Sequence, residues 1–366
     1  NAIESKYQTA FMGPTEILTR QHYEFAKVIF KKIDIKIEYL SGKTELKKRK
    51  KILLDLENGE IDLLFGTHAL FQKKIKFKKL GLIIIDEQHK FGVKQRSDFA
   101  KKGGDFCDVL LMSATPIPRT MMMALYGDMD ISIIDEKPSN RKKIITLSKP
   151  ENKTNELWPY IKKQITKGNQ IFWVCPLIND SSFLDYSSVL KKYEIINKQF
   201  PNKVGLIHGS LDKDAKDNIL KKFLRKEISI LVSTTVIEVG VDFPNANLII
   251  IENSNKYGLA QLHQLRGRVG RGKIQGTCIL LFKNSLSKNA IKRLKILKNS
   301  DDGFYIADED LKIRGFGDLI GYQQSGLKNF KFADPQHHED LFNIAETFIK
   351  NIQFDLNNSK YLFLLK

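Results

Sequence analysis

The sequence predicts an α/β protein of two successive parallel-sheet domains followed by a mostly helical C-terminal segment, and three observations carry that prediction. From the start to about residue 140, short apolar runs alternate with lysine-rich stretches of helical period. The alternation restarts after a polar, proline-containing segment, Asp135-Glu-Lys-Pro-Ser-Asn-Arg141. Beyond about Ser285 the strand patterns stop and helical ones take over, interrupted by glycines between Arg314 and Gly326. The expected divisions are therefore 1–140, 141–285 and 286–366.

In the first division the expected strands are Thr9–Met12, Ile35–Tyr39, Leu63–Gly66, Leu82–Ile85 and Val109–Met112, with helices at Thr19–Lys31 and Thr44–Glu57. In the second they are Gln170–Cys175, Val204–His208, Ile228–Ser233, Leu248–Glu252 and Thr277–Phe282. Runs this apolar suit strands covered on both faces. Ligands of open parallel sheets bind beyond the carboxyl ends of the strands, so the residues that follow each run are the candidates for function.

Composition narrows the class. A hydrophobic content of 42% and a mean hydropathy of -0.29 describe a soluble globular protein. The formal charge of +18 points to a polyanionic partner, most simply nucleic acid. No apolar stretch reaches membrane-spanning length and no leader pattern is visible, so a cytoplasmic location with no membrane partner is expected. Cys107, Cys175 and Cys278 lie far apart beside apolar runs, which suits core thiols better than a zinc site or a disulfide.

Chemistry concentrates at strand ends and in one arginine cluster. The chain has 11 arginines among 60 basic residues, yet Arg266, Arg268 and Arg271 fall within Gln264-Leu-Arg-Gly-Arg-Val-Gly-Arg271. Arg268 and Arg271 are expected near one face of a helix, where two planar forks would meet a nucleotide γ-phosphate bidentately. Leu80-Gly-Leu-Ile-Ile-Ile-Asp86-Glu87 is an apolar strand ending in paired carboxylates. Asp86 suits Mg²⁺, and Glu87 suits orienting a hydrolytic water. Ser113 and Thr115 close another strand, and Gly13-Pro14-Thr15-Glu16 and Gly66-Thr67-His68 are two further strand-end turns. Ser233-Thr234-Thr235 through Gly240 and Asp242 forms a polar turn suited to phosphate and ribose.

The order GPTE, GTHAL, DEQH, SATPIPRT, STTVIEVGVDFPNA, QLHQLRGRVGRG resembles a superfamily 2 nucleic-acid motor with two RecA-like domains. IIIDEQHKFGVKQR, SATPIPRT and DEDLKIRGFGDLIGYQQSG resemble the bacterial ATP-dependent DNA helicase RecG across nearly the whole chain. The related translocase Mfd shares several stretches but typically has Glu-Gln where this chain has Gln88-His89. The resemblance implies an ATP- and Mg²⁺-dependent helicase that remodels stalled forks and Holliday junctions as a monomer, binding duplex and branched DNA.

Residue by residue, the resemblance places Asp86, Glu87, His89, Gln264, Arg268 and Arg271 in catalysis. Ser113, Thr115, Arg314 and Gln324 fall in coupling. Pro14, Thr15, Glu16, Gly66, Thr67, His68, Thr234 and Thr235 match motifs that grip the tracking strand's backbone. Phe316, Tyr322 and Gln323 depart from the family pattern, the last standing where an arginine is common.

One part of such a motor is missing from the pattern. A phosphate-binding loop reads G-x-x-x-x-G-K-[ST], and Gly42-Lys43-Thr44 lacks the first glycine, its place being taken by Ile37. The loop, like the family's fork-splitting wedge domain, is expected upstream of Asn1, so the first RecA-like domain reads as truncated. The fragment alone is expected not to hydrolyse ATP. Two other readings stay open: an Mfd-like translocase, and a DNA-binding remnant without catalysis.

Overall fold

The computed structural model describes residues 1–72, 74–87, 101–114, 130–134, 136, 141–176, 182–234, 243–272, 274–283 and 285–314, with 341, 344–345 and 347–348. Within them the strands form two sheets, and every described pairing is parallel. The first contains β1 (Gln8–Met12), β2 (Ile37–Leu40), β3 (Leu63–Gly66), β4 (Leu80–Ile85) and β5 (Asp108–Leu111), in the order β2-β3-β1-β4-β5. The second contains β6 (Ile145–Pro150), β7 (Gln170–Val174), β8 (Val204–Ile207), β9 (Ile230–Ser233), β10 (Ala246–Ile251) and β11 (Thr277–Phe282). Its order is β6-β11-β10-β7-β9-β8. Two parallel α/β domains are what the sequence predicts.

The sheets form because their strands are apolar on both faces. Along β7, Phe172 and Val174 pack into one core with Leu231, Ile249 and Leu280. Ile171 and Trp173, pointing the other way, join Ile230, Leu248 and Leu281. The first sheet repeats the arrangement with Ala10, Met12, Leu64 and Ile83 on one side and Phe65 and Leu63 on the other. Cys175 and Cys278 are buried in these cores and Cys107 is half-buried, all as free thiols. Burial pushes the Cys278 thiol up to about 12, so it is neutral at physiological pH.

One strand goes unanticipated by pattern. β6 lies at the edge of the second sheet, and the outward side chains of Ile145 and Leu147 are exposed. Ser148, Lys149 and Pro150 break its apolar run.

Helices start and stop where their caps dictate. Helix α1 (Glu16–Ile29) begins three residues before the expected Thr19, because Thr15 is its N-cap and accepts the Leu18 N–H at 3.4 Å. Helix α2 (Leu46–Asn58) ends at Gly59, whose φ of 79° only glycine adopts without strain. In the second domain, α3 (Trp158–Thr166), α4 (Ser182–Gln199), α5 (Lys213–Leu224) and α6 (Leu259–Arg266) flank the sheet. Asp212 caps α5 through the Ala215 N–H at 2.8 Å. Helices α7 (Lys288–Asn299) and α8 (Gly303–Arg314) follow β11, and Leu294, Leu297 and Ile306 lie in the same core as β7 and β10. Among the described residues no helix is long and apolar enough to cross a membrane.

Candidate nucleotide and nucleic-acid site

Parallel pairing brings the carboxyl ends of β1, β3, β4 and β5 to one edge of the first sheet. The backbone ladder continues one residue past each strand. Gly13 N–H donates to Gly66 O at 3.1 Å, Asp86 N–H to Met12 O at 2.9 Å and Met112 N–H to Ile85 O at 2.8 Å. The turns carrying Pro14-Thr15-Glu16, Thr67-His68, Asp86-Glu87 and Ser113 are thereby held in a row. Gly13 is required at its place, since a Cβ there would sit 2.4 Å from the Thr19 hydroxyl.

Asp86 and Glu87 occupy the centre of this row. The Glu87 N–H donates to Asp86 Oδ1 at 2.9 Å, and Glu87 has a φ of 51°, an uncommon backbone for a non-glycine residue. Asp86 Oδ2 meets His22 Nε2 of α1 at 3.1 Å, a contact 64 residues apart in sequence that pattern reading misses. Glu87 Oε2 lies 3.5 Å from the Ala114 N–H, which brings the carboxylate to the turn after β5. Carboxylate oxygens are the donors Mg²⁺ takes, and that ion keeps water and phosphate ligands rather than an all-protein cage. Among the described residues no group of three or more ligating side chains forms such a cage.

At Gly42-Lys43-Thr44 the Lys43 and Thr44 amides are already bonded within the turn, the latter donating to Ser41 O at 3.2 Å. Thr44 Oγ1 accepts the Ser41 N–H at 2.9 Å and Ser41 Oγ accepts the Lys43 N–H at 3.2 Å. Lys43 Nζ reaches across to Asp214 Oδ1 of the second domain at 3.0 Å. That ion pair spans an open cleft of about 590 Å³ between α1, the turn after β2 and the start of α5. Its lining mixes Glu16, Glu24 and Asp217 with Arg20, Lys27 and Lys48, so this cleft is not a uniformly basic channel.

The arginine cluster departs from expectation in two ways. Helix α6 ends at Arg266, so Gln264 is helical while Arg268 and Arg271 lie on the turn beyond it, not on a helix face. Glycines enforce the turn. Gly270 has a φ of 69° and packs against Gly276, and a Cβ on Gly272 would meet Pro244 O at 2.5 Å. Arg266, moreover, is not available to an anion, being 3% exposed. Its Nη1 donates to Leu297 O at 2.6 Å and Ser300 O at 2.7 Å, capping the C-terminus of α7. Its Nη2 lies 2.8 Å from His263 Nδ1, which must accept because a guanidinium only donates. Arg271 is exposed, its Nε donating to Gly267 O at 3.3 Å.

The second sheet separates its polar residues between two edges. Gly270 N–H donates to the O of Ala246, the first residue of β10, so the arginine turn sits at the amino edge. Thr234 follows β9 at the carboxyl edge, roughly 17 Å away by strand rise, and is 3% exposed. At that same edge Glu252 accepts from Trp173 Nε1 at 3.0 Å and pairs with Lys192 Nζ at 2.7 Å. Helix α6 is also tied at its other end, since Asp310 of α8 accepts the Leu259 N–H at 3.2 Å. None of these three buried contacts is legible in sequence spacing. His89, Thr115, Thr235, Gly240, Asp242 and Gln324, with Phe316, Tyr322 and Gln323, lie outside the described residues, as does most of the Asp135–Arg141 boundary. Arg314 ends α8.

Comparison with known proteins finds similarity along most of the chain. The DEAD/DEAH box helicase family matches residues 1–124, the helicase conserved C-terminal domain residues 152–273, and the RecG domain 3 C-terminal family residues 300–359. The ATP-dependent DNA helicase RecG of Thermotoga maritima is 46% identical over 354 residues, covering 96% of this chain and 45% of that protein. That of Bacillus subtilis is 45% identical, covering 92% of this chain and 49% of that protein. A structure of RecG bound to a three-way DNA junction superposes with a TM-score of 0.74 at 44% identity, covering 92% of this chain and 43% of that one. The fold alone is shared with the helicase MrfA, at a TM-score of 0.61 and 16% identity. The chain spans about half the length of the curated relatives it matches, and over that span it belongs to the family of RecG DNA helicases.

Proposed function

We propose that this chain is the motor portion of an ATP-dependent DNA helicase that remodels stalled forks and Holliday junctions, acting as a cytoplasmic monomer on duplex and branched DNA. The observation that supports this reading most is the hydrogen-bonded row of turns at the end of the first sheet. It sets the acidic pair beside turns of the kind that hold a polynucleotide backbone. In this reading Asp86 holds Mg²⁺ and Glu87 orients the attacking water, while Gln264, Arg268 and Arg271 approach the γ-phosphate from the second domain. Bound Mg²⁺ would neutralise charge on the phosphates. Pro14-Thr15-Glu16 and Thr67-His68 would follow the DNA backbone, a task that ignores base identity, whereas Thr234, as buried as Arg266, would only support its turn. The Arg314 segment would convert domain movement into travel along duplex DNA.

Gly42-Lys43-Thr44 lacks the first glycine of the pattern and its lysine is paired with Asp214, so in this reading another segment supplies the phosphate-binding loop, and this chain by itself would turn over little ATP. The test is Glu87→Gln in a polypeptide joining this stretch to an upstream phosphate-binding loop. DNA-stimulated hydrolysis should fall at least about 10²-fold, while binding of a fluorescent ATP analogue stays near wild type. Normal turnover in that variant would remove Glu87 from the chemistry.

A further inference from the structure

The contact between His22 and Asp86 belongs to none of the motifs carried over from the family. His22 lies two turns into α1, on the helical face shared by Thr15 and Thr19. Its Nε2 is 3.1 Å from Asp86 Oδ2. A carboxylate only accepts, so Nε2 is the donor. The other carboxylate oxygen accepts the Glu87 N–H at 2.9 Å, and the backbone N–H of Asp86 donates to Met12 O at 2.9 Å. Both oxygens of Asp86 are thus oriented, one by its own turn and one by a distant helix. The His22 ring is itself held by Phe11, with ring centroids 4.8 Å apart. His22 and Asp86 stay partly accessible, at 34% and 18%, so the pair can respond to a ligand.

Helix α1 links this contact to the turn before it. Thr19, fully buried, donates to Thr15 O at 2.6 Å, and Gly13 is packed against its hydroxyl. The turn Gly13–Thr15 and the first two helical turns therefore move as one piece. His22 stands seven residues beyond Thr15, about 10 Å along the axis. A shift of about 0.5 Å along α1 would carry the 3.1 Å contact past useful hydrogen-bond length.

We propose that His22 is a positioning residue that links DNA engagement at Pro14-Thr15-Glu16 to the orientation of the Asp86 carboxylate, and so to stimulation of turnover by DNA. The inference rests on the proposed roles of Thr15 and Asp86; the contact itself does not.

The chain is labelled with ¹⁵N in its 7 histidine rings, and the His22 signal is identified by its loss in His22→Gln. A three-way DNA junction is then added while binding is followed by fluorescence anisotropy. The His22 signal should move in step with saturation. DNA that binds without moving this signal overturns the positioning role and leaves the motor reading intact. Failure to bind DNA overturns both. In a polypeptide that also carries the phosphate-binding loop, His22→Ala should lower the ratio of DNA-stimulated to DNA-free turnover about tenfold, and His22→Gln should restore most of it through its amide N–H. An unchanged ratio in His22→Ala overturns the inference.

Discussion

Both sheets are parallel, apolar on two faces and edged by polar turns, yet their strand ends are finished differently. At the carboxyl edge of the first sheet, Asp86 and His22 remain partly open to solvent. At the carboxyl edge of the second, Thr234 and Glu252 are buried, and Glu252 is already satisfied by Trp173 and Lys192. The exposed Arg271 stands at the opposite, amino edge. A site that binds and releases a nucleotide needs groups that can exchange partners. A frame that transmits force needs groups whose partners are permanent. By that criterion the first sheet suits the proposed chemistry and the second suits a frame, with its arginine turn just beyond α6.

The comparison can be broken most severely at Arg271. In a polypeptide with a phosphate-binding loop, Arg271→Lys should lower ATP turnover by about 10³-fold, because a point charge cannot make the bidentate contact. Steady-state hydrolysis near the wild-type rate would mean that the amino edge takes no part in catalysis. Arg266, five residues earlier, should behave differently. Arg266→Leu leaves Leu297 O and Ser300 O without their donor and should cost about 3 kcal/mol of stability, read from urea unfolding. A loss below about 0.5 kcal/mol would show that α6 and α7 are not joined through this side chain.

A smaller effect sharpens the view of the second sheet's carboxyl edge. Burial and the neighbouring Lys216 hold the His208 pKa below its ordinary value. The unfolded chain therefore takes up the proton more readily. The contribution of His208 is complete above the unfolded value of about 6.5 and is lost as pH falls towards the folded one. Thermal unfolding between pH 7 and pH 5 should thus show a slightly shallower decline in His208→Gln, and an identical slope would remove His208 from the balance.

Much of this architecture is legible in the sequence because buried parallel strands are nearly pure runs of Ile, Leu and Val. β3 and β11 run over the expected residues, Leu63–Gly66 and Thr277–Phe282. β6 shows no such run, because an edge strand needs only one covered face and tolerates Lys149 and Pro150. The start of α1 lies earlier than its pattern suggests, because Thr15 reads as a turn residue although the turn is itself the helix cap. Within the candidate site, the strand-end turns were readable from their position after apolar runs. Three arginines close in sequence, by contrast, could not disclose that Arg266 points into the fold while Arg268 follows the helix cap Gly267 and Arg271 follows Gly270 in the turn beyond. His22 with Asp86, and Asp310 with the start of α6, join residues 64 and 51 positions apart, and only folding brings such pairs together.

The division between chemistry and frame is tested most directly by assaying ATP hydrolysis and fork unwinding together, in Glu87→Gln and in Arg314→Ala. Both variants are made in a polypeptide that joins this stretch to a phosphate-binding loop, and both assays include branched DNA. Glu87→Gln should lose hydrolysis and unwinding alike, since its lesion is at the reacting atoms. Arg314→Ala, at the end of α8, should keep DNA-stimulated hydrolysis and lose unwinding. Loss of both activities in Arg314→Ala, or of neither, would contradict the division.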